Sequence, residues 1–178
     1  MFSKYVSLTK TATRRMTSTL TRGLVIPLAL CGAVATISPA SANPVGANHS
    51  GGICKSFFGE DTASILTNTM GVSNRNTQPM SVTCPLTRNT SNSGGAVIYV
   101  DVGHVNNQTS SCDAYSYDYQ GKLLAFAHGT PFTGSGFHEF VLSLTGIGKS
   151  TQWSNYSVNC SIPGNLLGTV YAIDMVEQ

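Results

Sequence analysis

Four histidines (His49, His104, His128 and His138) and eight carboxylates are the groups of this 178-residue chain best suited to acid–base work. Two histidines have an acid close in sequence, in Asp101-x-x-His104 and in His138-Glu139. A histidine at a strand edge or in a solvated loop is the common source of such spacing, and neither pair sits in a catalytic motif. Asp113 and Asp118 fall on opposite faces of an extended segment, so they do not make the paired carboxylates of a glycoside hydrolase. Asp101, Asp113 and the loop carbonyls near them offer oxygen ligands to a calcium ion, with a metal-free domain as the simpler reading. Gly134-Ser135-Gly136 lacks the spacing of a nucleophile elbow, and zinc-protease, phosphate-loop and dinucleotide motifs are absent. These residue types point away from an enzyme, and toward a domain with no catalytic residue, no cofactor and no metal.

Aromatic residues carry a different chemistry, recognition by stacking. Ser111 to Ala127 reads as a hairpin about Gln120-Gly121, where glycine supplies the positive φ of a two-residue turn. Tyr115, Tyr117 and Tyr119 share one strand face; Cys112, Ala114 and Ser116 share the other. A two-residue turn would set Tyr119 against Lys122, Tyr117 against Leu124 and Tyr115 against Phe126. Two orientations are open. Large side chains opposed across a hairpin commonly pack inward, which would leave Cys112 at a strand end where the chain bends. The alternative buries Cys112, Ala114, Ser116, Ala125 and Ala127 beside Ile98 and Val100. Its outer face then gathers Tyr99, Tyr115, Tyr117, Tyr119, Leu124 and Phe126, with Asp113 and His128 at its end. Such a patch is larger than soluble monomers usually expose. The candidate ligand-binding residues are therefore Tyr99, Tyr115, Tyr117, Tyr119 and Phe126.

The place of work is more legible than the ligand. Residues 1–42 read as a secretory signal peptide: Lys4, Lys10, Arg14, Arg15 and Arg22 without an acid, an apolar run from Gly23 to Ile37, then Ala40-Ser41-Ala42. The apolar run holds about 15 residues and Pro27, short of the roughly 20 that cross a bilayer. Residues 43–52 read as a flexible lead-in, and 53–178 as a single domain. Five of the ten basic residues leave with the leader, and Lys55, Arg75, Arg88, Lys122 and Lys149 remain against eight acids, a net charge of −3. Nucleic acid is therefore a poor partner. No membrane span remains after cleavage, and the protein is expected to be secreted or periplasmic. Cys54, Cys84, Cys112 and Cys160 form an even set in an exported chain, without the C-x-x-C spacing of a zinc or redox site, which argues for two disulfides.

Short apolar stretches rich in Val, Ile, Thr and Tyr alternate with Gly, Asn and Ser clusters, the pattern of an all-β, antiparallel sandwich. Jelly-roll-like and immunoglobulin-like strand orders both fit it. Against the second, Val158 stands where the corner tyrosine would be, and Trp153 is far from the usual Cys-to-Trp spacing. The spacing predicts strands over Met80–Thr87, Ala96–Val102, Ser111–Tyr119, Lys122–His128, Phe137–Leu144, Asn155–Ile162 and Leu166–Val176. Pro85 requires an edge or a bulge in the first of these. Asp61–Met70 is the one stretch with a helical period. Four cysteines allow three connectivities. Cys84 and Cys160 each share an apolar strand face with a β-branched residue two before them, and Cys112 is the other cysteine on a well-formed strand. That favours Cys112–Cys160 as a cross-sheet bond, leaving Cys54–Cys84 to tie down the first segment.

Val82-Thr83-Cys84-Pro85-Leu86-Thr87-Arg88-Asn89, Tyr99-Val100-Asp101-Val102-Gly103-His104, Ser111-Cys112 and Tyr156-Ser157-Val158-Asn159-Cys160-Ser161-Ile162-Pro163 come in an order that resembles a loose group of small exported bacterial β-sandwich proteins of unknown function. The likeness spans roughly Ile53 to Val176 and implies a fold with paired cysteines, but no activity. That group tends to carry a larger apolar residue where this chain has Ala114, which favours the Cys112 face as the inner one. Two function classes follow. One is a non-catalytic exported binding module, for a glycan or a cell-surface protein, acting through the tyrosine face. The other is a structural or interaction protein of the envelope or matrix without a small ligand.

Overall fold

A computed structural model describes residues 45–59, 62–89 and 94–178. The leader expected over residues 1–42 lies outside them. Among the described residues ten strands run in chain order: β1 (Val45–Ser50), β2 (Lys55–Ser56), β3 (Ile65–Asn68), β4 (Gly71–Asn74), β5 (Met80–Leu86), β6 (Ala96–Tyr117), β7 (Leu123–His128), β8 (Phe132–Ser143), β9 (Asn155–Ile162) and β10 (Gly168–Glu177). Every pairing is antiparallel.

β6 organises the molecule because it belongs to two sheets. Its first part lies between β8 and β10 from Ala96 to His104 and pairs with β8 alone from Gln108 to Ser110. β10 continues that first sheet to β1 and β4, and β4 to β3. From Ser111 onward β6 lies between β9 and β7, and β9 continues this second sheet to β5 and β2. The inner faces share one core: Ile98, Val100, Val102, Phe140, Leu142, Ile173 and Met175 from the first sheet, Val82, Cys84, Cys112, Ala114, Tyr156, Val158 and Ile162 from the second. Period-two alternation in β5, β8 and β9 places these residues inward as their sequences require. The antiparallel β-sandwich read from the composition is thus the fold.

Both disulfides pair as favoured, Cys54–Cys84 and Cys112–Cys160. Two such bonds fit an extracellular or periplasmic protein. Neither is a cross-sheet bond, however. Cys112 sits directly opposite Cys160 on neighbouring strands of the second sheet, and Cys54 precedes β2, the neighbour of β5. Pro85 is tolerated because β2 covers only Val82 and Thr83, leaving Pro85 with one neighbouring strand.

Three expectations are corrected, and one strand departs from strict alternation. Residues 43–52 contain an ordered strand, since β1 pairs with Ala172–Glu177 of β10, satisfying backbone groups that its Asn and Gly content suggested were free. The helical period of Asp61–Met70 is realised, among the described residues, only as a 3-10 turn at Thr62–Ser64, which leads into the β3–β4 hairpin. β6 continues through Gly103–Ser110, irregular between His104 and Gln108, where a loop was expected. In β10 a bulge between Val170 and Ala172 shifts the phase, so Val170 and Ile173 share the buried face that strict alternation would separate. Among the described residues no helix is long and apolar enough to cross a membrane.

Arg88, just after β5, joins the two sheets. Its Nε donates to Glu177 Oε1 of β10 at 2.7 Å, its Nη1 to the Thr151 carbonyl at 2.7 Å, and its guanidinium lies 5.2 Å from the centre of the Tyr156 ring. Both charges are largely buried, so each depends on the other to avoid standing desolvated and alone.

Candidate functional site

The disulfide decides the orientation of the hairpin. Cys112 is fully buried against Cys160, and alternation then carries Ala114 and Ser116 inward, opposite Val158 and Tyr156. Their small volume leaves room for the large Tyr156 ring, whose hydroxyl meets Ser150 Oγ at 2.6 Å inside the core. Tyr115 and Tyr117 must therefore face out. The orientation with wet rings is the one adopted.

On the outer face the Tyr115 and Tyr117 rings stack with centroids 6.0 Å apart and planes at 14°. Phe126 lies opposite Tyr115 on β7, with centroids 5.4 Å apart, and is 52% exposed. His128 follows at 6.4 Å from Phe126, and its Nδ1 is 2.5 Å from Asp113 Oδ1. Partial burial pushes the Tyr115 phenol above its ordinary value, helped by the Asp113 carboxylate and by Tyr117, while a hydrogen bond with Asn159 works the other way. The rings thus stand half in water, braced against one another and against β9.

The turn differs from the expected two-residue type. The Asp118 carboxylate accepts from the Gln120 and Lys122 amides at 2.9 and 2.8 Å, and the Asp118 amide donates to the Lys122 carbonyl. That longer, side-chain-built turn, with Gly121 at φ +80°, ends the strand pairing at Tyr117 opposite Leu123. Tyr115 opposite Phe126 holds; Tyr117 opposite Leu124 and Tyr119 opposite Lys122 do not. Tyr119 sits in the turn, 72% exposed.

Tyr99 does not join the patch. It belongs to the first sheet, between Val141 and Asp174, because β6 changes sheet before reaching Tyr115. Asp101 likewise lies in the first sheet and Asp113 in the second, so they cannot share a calcium ion, and among the described residues no three His, Cys, Asp or Glu side chains gather as metal ligands. The other histidine–carboxylate pairs separate too. His104 is buried, 2.7 Å from Ser110 Oγ and 3.0 Å from the Gly134 carbonyl, while Asp101 stays at the surface. His138 stacks on Phe132 at 4.3 Å, and Glu139 points to the opposite face.

Two features were missed in the sequence. Phe57 and Phe58, just after β2, stand on the far side of β5 and β9 from the tyrosines, Phe58 being 75% exposed. Between the two sets of rings runs a groove of about 200 Å³, lined by Phe57, Phe58, Tyr115, Asp113 and a floor of Ser81, Ser111, Asn159 and Ser161. Two adjacent phenylalanines in a polar stretch, beginning three residues after Cys54, were the signal available. Trp153, 64% exposed beside Tyr119, was the other.

No protein family matches the chain, and no curated protein does. Among solved structures it is similar to a xylan-binding module, CBM15, at 10% identity and a TM-score of 0.48, over 75% of this chain and 97% of that one. A likeness this distant says nothing of what the chain binds.

Proposed function

We propose that the chain is an exported, non-catalytic binding domain that holds a neutral glycan against the outer face of the second sheet. One observation carries this reading: exposed rings flank a floor of amide and hydroxyl groups, with Tyr115, Tyr117 and Phe126 on one side and Phe57 and Phe58 on the other. A sugar ring has an apolar face and a rim of hydroxyls, and it needs both kinds of surface at once. Among the described residues that line the groove the one carboxylate, Asp113, is engaged by His128, and there is no lysine or arginine. That balance suits an uncharged ligand better than a phosphate or an acidic polymer.

The test is retention on immobilised cellulose, xylan, mannan and polygalacturonate, comparing wild type with Tyr115→Ala/Tyr117→Ala. Wild type is expected to be held by at least one neutral polymer and the double variant to be released. Equal retention of both proteins, or capture of neither, rejects the reading.

A further inference from the structure

We infer that the ligand is an elongated chain of several sugars lying along β6, and that Tyr119 and Trp153 form its far anchor. This rests on the glycan reading of the same face. The groove beside Tyr115 does not stand alone. A second recess of about 330 Å³ shares Phe58, Ser81 and Ser161 with it and continues past Phe58 to Ser56, Asn76, Pro79 and Met80. Ser56, whose buried hydroxyl has no hydrogen-bond partner, lies in its wall. At the other end a recess of about 300 Å³ lies between the Tyr119 and Trp153 rings.

Tyr115 and Tyr117 connect these ends. Ser111 lines the first groove, and Tyr117 is the last paired residue of β6 before the turn that holds Tyr119. From Ser111 to Tyr117 the strand rises roughly 20 Å at about 3.3 Å per residue. Ring contacts are therefore available over a length that a single sugar or a disaccharide leaves mostly uncovered. The near-parallel Tyr115 and Tyr117 rings, 6.0 Å apart, repeat one ring orientation at two successive positions of the strand, where a polymer of repeating units finds a contact at each step. Trp153 and Tyr119 make no part of the core, and both stand largely in water.

Titration calorimetry with soluble cello-, xylo- and manno-oligosaccharides, each from the disaccharide upward, tests this. For the series that binds, affinity should climb with chain length over several sugars and then level off. Trp153→Ala and Tyr119→Ala should each lower the affinity of the longest oligosaccharide about two- to tenfold, the size of one lost stacking contact. Both should leave the disaccharide unchanged, whereas Tyr115→Ala should weaken every length. A single affinity from the disaccharide upward overturns the inference, as does indifference of the longest oligosaccharide to both distal variants. In either case a persistent loss with Tyr115→Ala would leave the glycan reading standing. Failure of every oligosaccharide and polysaccharide to bind removes both.

Discussion

The two sheets differ in what they turn to water. The second sheet shows rings over hydroxyls and amides, with the groove carboxylate Asp113 beside a histidine. The first sheet shows Tyr99 and Val141 among acids, Asp101 opposite Glu139 on β8 and Asp174 opposite Tyr99 on β10. Its exposed Phe137 is not a free ring in the same sense. It leans on Tyr171 at 5.1 Å, and Tyr171 in turn fills the space over Gly103 where a Cβ would lie 2.6 Å from the ring. What separates the faces is covalent. Both disulfides hold the second sheet, and the Cys112–Cys160 bond lies beneath the rings, on residues that alternate with Asp113, Tyr115 and Asn159. Exposed aromatic rings favour collapse onto one another or into the core; a cross-strand bond fixes their side of the sheet.

The largest expected effect tests that support. The Cys112–Cys160 bond closes a loop of 48 residues, and removing it as Cys112→Ala/Cys160→Ala should lower stability by about 4 kcal/mol, read from denaturant unfolding. The corresponding loss of Cys54–Cys84, with a sequence separation of 30, should be slightly smaller. An unchanged unfolding midpoint would mean that the uncrosslinked first sheet and the Arg88–Glu177 pair carry the fold, and that the staples do not set the rings.

The next effect opposes the two faces directly. Tyr115→Ala should weaken polysaccharide retention by about tenfold or more, since it removes a stacked ring and its contacts with Phe126. Tyr99→Ala, an equal truncation on the first sheet, should leave retention unchanged. Equal losses would show that the faces are not distinct in function, or that both variants act through folding, which their melting curves separate.

This contrast also explains what could be read beforehand. The inward set of β9, Tyr156, Val158, Cys160 and Ile162, was legible because an uninterrupted period of two needs no tertiary information. The ring orientation was half legible: cysteine burial argued for it, while the usual inward packing of opposed large residues argued against, and the disulfide settled the matter. The hairpin of β3 and β4 was not, because Ser73 and Asn74 are buried there by pairing and hydrogen bonds, with no apolar pattern to announce it. Tyr99 was misplaced because no residue between Gly103 and Ser110 signals that one strand crosses from sheet to sheet. Phe57, Phe58 and Trp153 come to the site from outside the paired strands, and only the folded chain assembles them.

The smallest effect lies in the acids of the first sheet. Burial raises the Asp101 carboxyl above its ordinary value, and the Asp174 charge raises it further. A group raised in this way releases its proton less readily folded than unfolded. Stability is therefore unpenalised below the unfolded carboxylate range of about 4, and is lost as pH climbs through that range and then through the folded value. Asp101→Asn removes the charge without changing shape, so it should stabilise the protein at neutral pH, by less than about 1 kcal/mol given solvent screening. The gain should vanish in acid below the carboxylate range. Asp113→Asn on the second sheet should do the reverse at neutral pH, since it removes the carboxylate charge that faces His128. Melting temperatures of the two variants at neutral and acid pH decide it. A destabilised Asp101→Asn at both would make that carboxylate a required acceptor and erase the electrostatic difference between the faces.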